Sequence, residues 1–436
     1  MSDWHQHALR DISTHIKDGT HGTHKRVESG VPFLSAKNVG NNGRLNWDER
    51  DDFVSELDYS AITSSFSPRQ GDVLLTVVGS IGRAALFDGS KVTFQRSVAF
   101  IRCTDNVLPS YLYQAILSSD FTRQLERRSN VTAQAGLYLG ELAKCQILLP
   151  PNKQQKKIAC ILQTIDQAIE KTEALIEKHQ HIKAGLMHDL FTRGIGADGK
   201  LRPPREQAPE LYQQTPIGWI PKEWSYDRLE NMLAQVANNL RSGPFGSALL
   251  KSELVEGGIP FLGIDNIHIE RFDNNFRRFV SEKKYNELIK YAVRPRDVVI
   301  TIMGTVGRSA VIPDHIDKAL SSKHLWTMTL NQNAVVPELV CWQLNYSAWV
   351  KAWFRKETQG GIMDAIQSKT LRTMILPIPP IDEQQLIFDK FKTATSNIET
   401  EKNSLEKLQK QKSGLMHDLL TGKVSVQVAE SEPEIA

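Results

Sequence analysis

The sequence predicts an α+β protein: two pseudo-symmetric α/β domains separated by two long helices that form an antiparallel coiled coil. Three observations predict it. Asn152 to Thr192 contains no proline, a single glycine (Gly185), and apolar residues at heptad spacing. The same stretch recurs 229 residues later. The strand-like anchors that precede the first copy also precede the second.

In the first copy Ile158, Ile165, Thr172, His179 and Leu186 fall seven apart. Ile161, Ala168, Leu175 and Ile182 form a companion row three residues on, and Leu162, Ile169, Ile176 and Leu190 widen the stripe. Such a seam belongs to a long helix that needs another helix. Pro150 and Pro151 set its start, and Gly194 and Gly196 follow its end. The second copy runs from Asp382 to Thr421 after Pro379 and Pro380, and Gly185 to Leu190 returns unchanged as Gly414 to Leu419. Its apolar positions include Ile387, Phe391, Ala394, Ile398, Leu405, Leu408, Leu415 and Leu419. The docking seam is therefore expected at Ile158, Ile165, Leu175, Ile182, Leu186 and Met187, facing Ile387, Ile398, Leu408, Leu415 and Met416. These are more apolar positions than one two-helix contact covers, so a further partner is expected on them.

Ahead of the first helix, residues 1–150 read as one α/β domain. Val31 to Leu34 is a strand, and Gly71 to Leu86 is a strand, a glycine turn and a second strand. Val98 to Ile101 is another strand, and Ser110 to Arg128 has helical spacing. The helix occupies 151–194, and 195–223, with five prolines from Pro203 to Pro221, reads as a linker. Residues 224–378 repeat the first domain in outline: Ile259 to Leu262 answers Val31 to Leu34, Arg296 to Val311 answers 71–86, and Pro337 to Phe354 answers the helix at 109–126. The distal helix takes 379–423, and the acidic tail 424–436 is expected to be disordered.

Forty per cent apolar and 24 per cent charged residues describe a globular chain, too long at 436 residues for a single core. No run approaches membrane length, and the N-terminus does not resemble a signal peptide. Cys103, Cys145, Cys160 and Cys341 are scattered without a paired spacing, which favours reduced thiols in a cytoplasmic protein over zinc or disulfides. Net charge is only +3, with residues 1–150 neutral and 224–380 carrying 19 basic against 15 acidic groups. A nucleic-acid partner would require the basic residues to gather on one face.

Gly194 to Lys200 fits most of a phosphate loop, but Leu201 replaces the hydroxyl residue, and the segment follows a helix and runs into Pro203-Pro204. A connecting turn is the simpler reading. The Gly79–Arg83 and Gly304–Arg308 turns need glycine for backbone geometry, and each also carries an arginine that could reach DNA. Asp18 to Arg26 and Arg241 to Ser247 are corresponding polar loops that suit a ligand contact or an ordinary surface. His21 and His24 lack the carboxylate or thiol frame of a metal site. His188-Asp189 and His417-Asp418 sit at helix ends with no partner nucleophile, so packing is preferred to catalysis. By chemistry alone, the candidate DNA contacts are Lys25, Arg26, Arg83, Arg96, Arg241, Lys251, Arg308 and Lys323. No catalytic or metal-binding residue is expected.

The doubled Pro-Pro…Gln-Gln…GLMHDL helix, the Ile217 to Trp224 entry to the second domain and the paired strand–GxxGR turns resemble the specificity subunit of type I restriction-modification enzymes, from about Trp4 to Lys423. The resemblance implies two target-recognition domains, each reading half of a split sequence in double-stranded DNA. It implies two docked methyltransferase subunits, with restriction subunits joining through them. S-adenosylmethionine, ATP and Mg²⁺ then belong to those partners and no cofactor to this chain. A helix of about 40 residues spans roughly 60 Å, which bounds the separation of the half-sites. Two other readings stay open: a structural adaptor whose domains bind protein, and a stand-alone DNA methyltransferase or nuclease. The second should show a cofactor loop, an Asn/Asp-Pro-Pro-aromatic tetrapeptide or a metal carboxylate cluster, and none of these is recognisable in the sequence.

Overall fold

The computed structural model describes residues 4–64, 67–129, 136–304, 306–358 and 366–427. It divides into two compact units, residues 1–177 with 400–436, and residues 178–399. Each unit takes one α/β body together with one end of each long helix.

The first unit is built on a four-stranded antiparallel sheet in the order Ser13–Asp18, Val98–Cys103, Val73–Thr76, Ala84–Leu86. The central strand Val73–Thr76 is buried on both faces, as its unbroken apolar run requires. Beside it lies a three-stranded sheet of Phe53–Val54, Val31–Leu34 and Thr93–Phe94, the last pair parallel. The expected single helix at 110–128 is two, Pro109–Ile116 and Ser119–Arg128. Ser118 divides them because its hydroxyl accepts from the Phe121 N–H and starts a new helix.

The second unit repeats this plan in matching register. Its sheet runs Leu240–Ser242, Leu325–Met328, Val298–Thr301, Ser309–Val311, and a second sheet holds Leu254–Val255, Phe279–Val280, Ile259–Leu262 and Leu320–Ser321. Its helical segment is likewise split at Ser347, into Pro337–Tyr346 and Ala348–Thr358.

The long helices are Asn152–Thr192 and Ile381–Leu420. In the first unit Ile158, Ala159 and Leu162 share a core with Leu415, Leu419 and Leu420, and Asp166 pairs with Lys412 at 2.6 Å. Numbers rise along one helix as they fall along the other, so the two run antiparallel. In the second unit Lys183 lies 5.0 Å above the Phe391 ring, and Glu383 accepts from the Ile195 N–H at 2.7 Å, the same sense.

One repeated residue fixes each helix start. Gln155 is buried: its amide donates to the Pro150 and Asn106 carbonyls and accepts from the Leu108 N–H. Gln384 does the same with Pro379 O, Ala334 O and Val336 N–H. The glutamine after the paired prolines thus ties the helix to the loop entering the shorter helices, which explains its recurrence.

The segment 195–223 is not a draped linker. It forms a hairpin, Tyr212–Thr215 with Gly218–Pro221, and buries Ile195 and Ile220 against the helices of its unit, while the buried Tyr212 donates its hydroxyl to Pro203 O at 2.6 Å. Arg202 is buried there and its guanidinium binds Glu383 at 2.6 and 2.9 Å. The phosphate-loop-like glycines make a turn, with Gly196 donating to Lys200 O, and no helix opens directly after it. Of the tail, Val424–Gln427 is described, with Val426 packed on the first unit's core; 428–436 lies outside the described residues.

Candidate nucleic-acid interface

Two loops meet at the edge of each main sheet, and glycine makes the meeting possible. A Cβ on Gly19 would lie 2.2 Å from Phe94 O, and one on Gly243 2.0 Å from Ser321 O. Only hydrogen fits at either point. The approach lets Arg96 N donate to Thr20 O at 3.1 Å, and Gly243 N to Ser322 O at 3.1 Å. Arg96 and Lys323 occupy corresponding places beside these glycine loops, and both are exposed.

In the second unit this junction gathers charge. Lys251, Arg278, Lys323 and His324 line one concave pocket with Pro244 and Gly246. Arg278 leans on Asp265. Burial, then the charges of Lys323 and Arg278, lower the pKa of His324 from its ordinary value of 6.5, so the imidazole is neutral at pH 7. Burial is the larger cause, and the two neighbouring cations add to it. Two of the expected DNA contacts, Lys251 and Lys323, are thereby brought together, and Arg278 and His324 join them.

The first unit is more neutral. Lys25 and Arg96 are exposed. Arg26 is engaged: it pairs with Asp52 at 3.0 Å, donates to His24 O at 2.8 Å and sits 4.3 Å above the Phe33 ring. His21 pairs with Asp18 at 2.8 Å, and His24 faces Asp58 and Thr20, so the two histidines are tied to separate partners.

Arg241, expected on the DNA face, is instead core. It is 5% exposed, pairs with Asp297, and donates to Ala292 O, Asn238 O and Thr329 Oγ1 at 2.6–2.9 Å. Burial raises the pKa of Asp297, which the guanidinium opposes. In the first unit the corresponding aspartate, Asp72, is bound by Arg102 from the neighbouring strand at 2.7 Å. The aspartate needs a buried cation, and the two units supply it from different strands.

The two GxxGR turns are built alike. Gly79, Gly82, Gly304 and Gly307 all have positive φ, from 73° to 97°. Arg83 N donates to Thr76 Oγ1 at 2.9 Å, and Arg308 N to Thr301 Oγ1 at 3.1 Å. These glycines serve the turn. Both arginine residues are half-buried, and Thr305 lies outside the described residues.

On the helices Ile158, Ile165, Met187, Ile387 and Ile398 are buried, and Leu186, Leu408, Leu415 and Met416 are half-buried. Leu175 and Ile182 lie outside the helix–helix core of their units: they are 41% and 51% exposed. A helix of 3.6 residues per turn drifts about 20° per heptad, so a strictly seven-spaced row leaves a seam it starts in. Ile161 and Ala168, earlier in that row, are still half-buried. His188 and His417 are exposed at helix ends, where their carbonyls accept from the Thr192 and Thr421 hydroxyls.

Sequence reasoning missed Lys183 and Lys412, which stand two residues before the repeated glycine. Lys183 binds Glu270 at 2.7 Å, and Lys412 binds Asp166, which also accepts from Gln114. Their identical place in both helix copies was the available signal.

The chain is thus a duplicated α/β body with basic residues in its sheet-edge loops, carried on paired helices. Residues 1–178 and 244–410 match the family described as the type I restriction modification DNA specificity domain, and the chain belongs to that family. It is 22% identical to the type I restriction enzyme MjaVIII specificity subunit of Methanocaldococcus jannaschii, over 97% of this chain and 93% of that protein. The fold matches the crystal structure of a type I restriction-modification S subunit from M. genitalium, with TM-score 0.58, 14% identity and 96% of each chain covered. It also matches a chain from a study of complex assembly and conformational transition in the type I R-M system, with TM-score 0.57, 15% identity, and 97% and 99% covered. Such a subunit is the non-catalytic, DNA-recognising part of its enzyme. Among the described residues no helix is long and apolar enough to cross a membrane.

Proposed function

We propose that this chain reads a bipartite, asymmetric sequence in double-stranded DNA, one half-site per unit. It docks two methyltransferase subunits on its helices, and restriction subunits join through them. Those partners carry S-adenosylmethionine, ATP and Mg²⁺, and the complex works in the cytoplasm. One observation carries the reading. The two units share strand register, turn hydrogen bonds and the buried glutamine tie, yet differ in the residues their edge loops present. A scaffold kept under different loop surfaces suits two readers of different half-sites. Lys25 and Arg96 in one unit, and Lys251, Lys323 and Arg278 in the other, serve as phosphate contacts that position each unit on the duplex. Leu175 and Ile182 contribute to the surface that methyltransferase subunits cover.

The test is methylation mapping after co-expression with a methyltransferase partner. Exchanging residues 1–149 for the first domain of another family member should change one half-site and leave the other intact. Native mass spectrometry should show one copy of this chain with two of the partner. Changes in both half-sites would mean the units do not read separately. Loss of all sequence preference in the unaltered complex, with assembly intact, would favour the adaptor reading.

A further inference from the structure

The second unit exposes an aromatic ring at the basic junction. Phe245 is 61% exposed in the turn Gly243-Pro244-Phe245-Gly246. An isolated exposed apolar residue is ordinary. This one differs in how it is held and what surrounds it. Gly243 is pressed onto the Ser321 carbonyl and donates to Ser322 O, and Ser242 Oγ donates to Lys323 O at 3.3 Å. Gly246 takes a φ of +60°. Pro244 restricts the backbone between them. The ring therefore stands on an anchored turn whose backbone has little freedom left to lose on binding. Its two neighbours, Pro244 and Gly246, line the pocket that also holds Lys251, Arg278, Lys323 and His324.

The three cations Lys251, Arg278 and Lys323 point to a polyanion, and a ring on the adjoining turn points to one that also offers apolar surface. Duplex DNA meets both needs: phosphates flank a major groove whose apolar feature is the C5-methyl group of thymine. We propose that Phe245 is a specificity-determining residue of the second unit, packing its ring on a thymine methyl while the surrounding cations hold the flanking phosphates. The inference rests on the DNA-reading function proposed above. The corresponding loop of the first unit carries His21, which is polar and bound to Asp18, so the two loops differ in chemistry where their scaffolds agree.

The test uses the complex of this chain with its methyltransferase partner, after methylation mapping has given the two half-sites. Each thymine of the target is replaced in turn by uracil, which lacks only the methyl. The unaltered complex should lose about fourfold in affinity at one thymine of the half-site read by residues 178–399, the worth of one buried methyl group. Phe245→Ala should lose a similar factor on the unmodified target and become indifferent to uracil there. Phe245→Leu, which keeps apolar bulk, should retain part of the uracil sensitivity. The salt dependence of binding should not change in either variant, because no phosphate contact is removed. The side chain is exposed, so thermal unfolding and subunit assembly should match the unaltered chain. The proposal is overturned if no thymine in that half-site responds to uracil, if Phe245→Ala keeps the response, or if Phe245→Ala weakens all sequences equally. An unaltered complex with no sequence preference would overturn the DNA-reading function itself, a distinguishable result. Preference for an acidic peptide over DNA at this pocket would overturn both.

Discussion

At the scale of single residues, a buried side chain that satisfies several backbone groups sets the energetics. Gln384 makes three such hydrogen bonds at 2.8–2.9 Å while 1% exposed. Gln384→Ala leaves the Val336 N–H and two carbonyls without their partner and opens a small void. We expect a loss of about 2–4 kcal/mol in urea unfolding. Gln385→Ala, at the exposed neighbouring position, should cost under about 0.5 kcal/mol. Equal effects would show that the tie contributes nothing of its own. Arg296 shows the opposite trade. It holds a φ of +68° where the first unit has Gly71, and the strain is met by two contacts with Glu338, one at 2.8 Å. A residue type that resists the conformation is held in it by a side chain that finds a carboxylate.

At the scale of elements, the repeated lysine joins the α/β body to the helices. Lys183 and Glu270 are 15% and 13% exposed, and the Lys183 ammonium also faces Phe391, which packs on Trp342 with ring centres 4.2 Å apart. One contact therefore links both helices, the shorter helix and a body loop. Glu270 takes a φ of +61° to reach it. Lys183→Ala should cost about 1–3 kcal/mol, because a largely buried carboxylate loses its cation. The exchanged pair, Lys183→Glu with Glu270→Lys, should recover part of that loss, whereas Lys183→Glu alone should be worse than alanine. A double-mutant cycle in urea reads the coupling directly, and additivity within about 0.3 kcal/mol would deny it.

For the whole molecule, the chain passes between units only within the two long helices, at 177/178 and 399/400. If the units read separate half-sites, helix length should enter the target. Matched insertions of four helical residues at both points add about 6 Å of rise and keep the seam direction within about 40°. That is about two base pairs at 3.4 Å each. We expect the variant complex to methylate the same two half-sites with a longer gap, measured on a library with fixed half-sites and variable spacer. Insertions of two residues turn the seam by about 200° and should abolish assembly. An active four-residue variant that keeps the parental gap would exclude the helices as the measure of spacing.

The sequence by itself determined the duplication, the limits of both helices and the paired glycine turns. Heptad spacing, prolines at helix starts and glycines at positive φ are local constraints that a chain carries wherever it folds. It also named Lys251 and Lys323 without bringing them together. Only the tertiary structure decided which cations face solvent. Lys323 is exposed and Arg241 is buried, although each is a lone basic residue on a strand or loop edge, because Asp297 lies within reach of Arg241 alone. The same holds for the seam: Ile161 and Leu175 stand in one seven-spaced row, but the drift of the helix leaves the first half-buried and the second exposed. The proline-rich stretch 195–223 packed because Arg202 found Glu383 from 181 residues away, a pairing that no local pattern records.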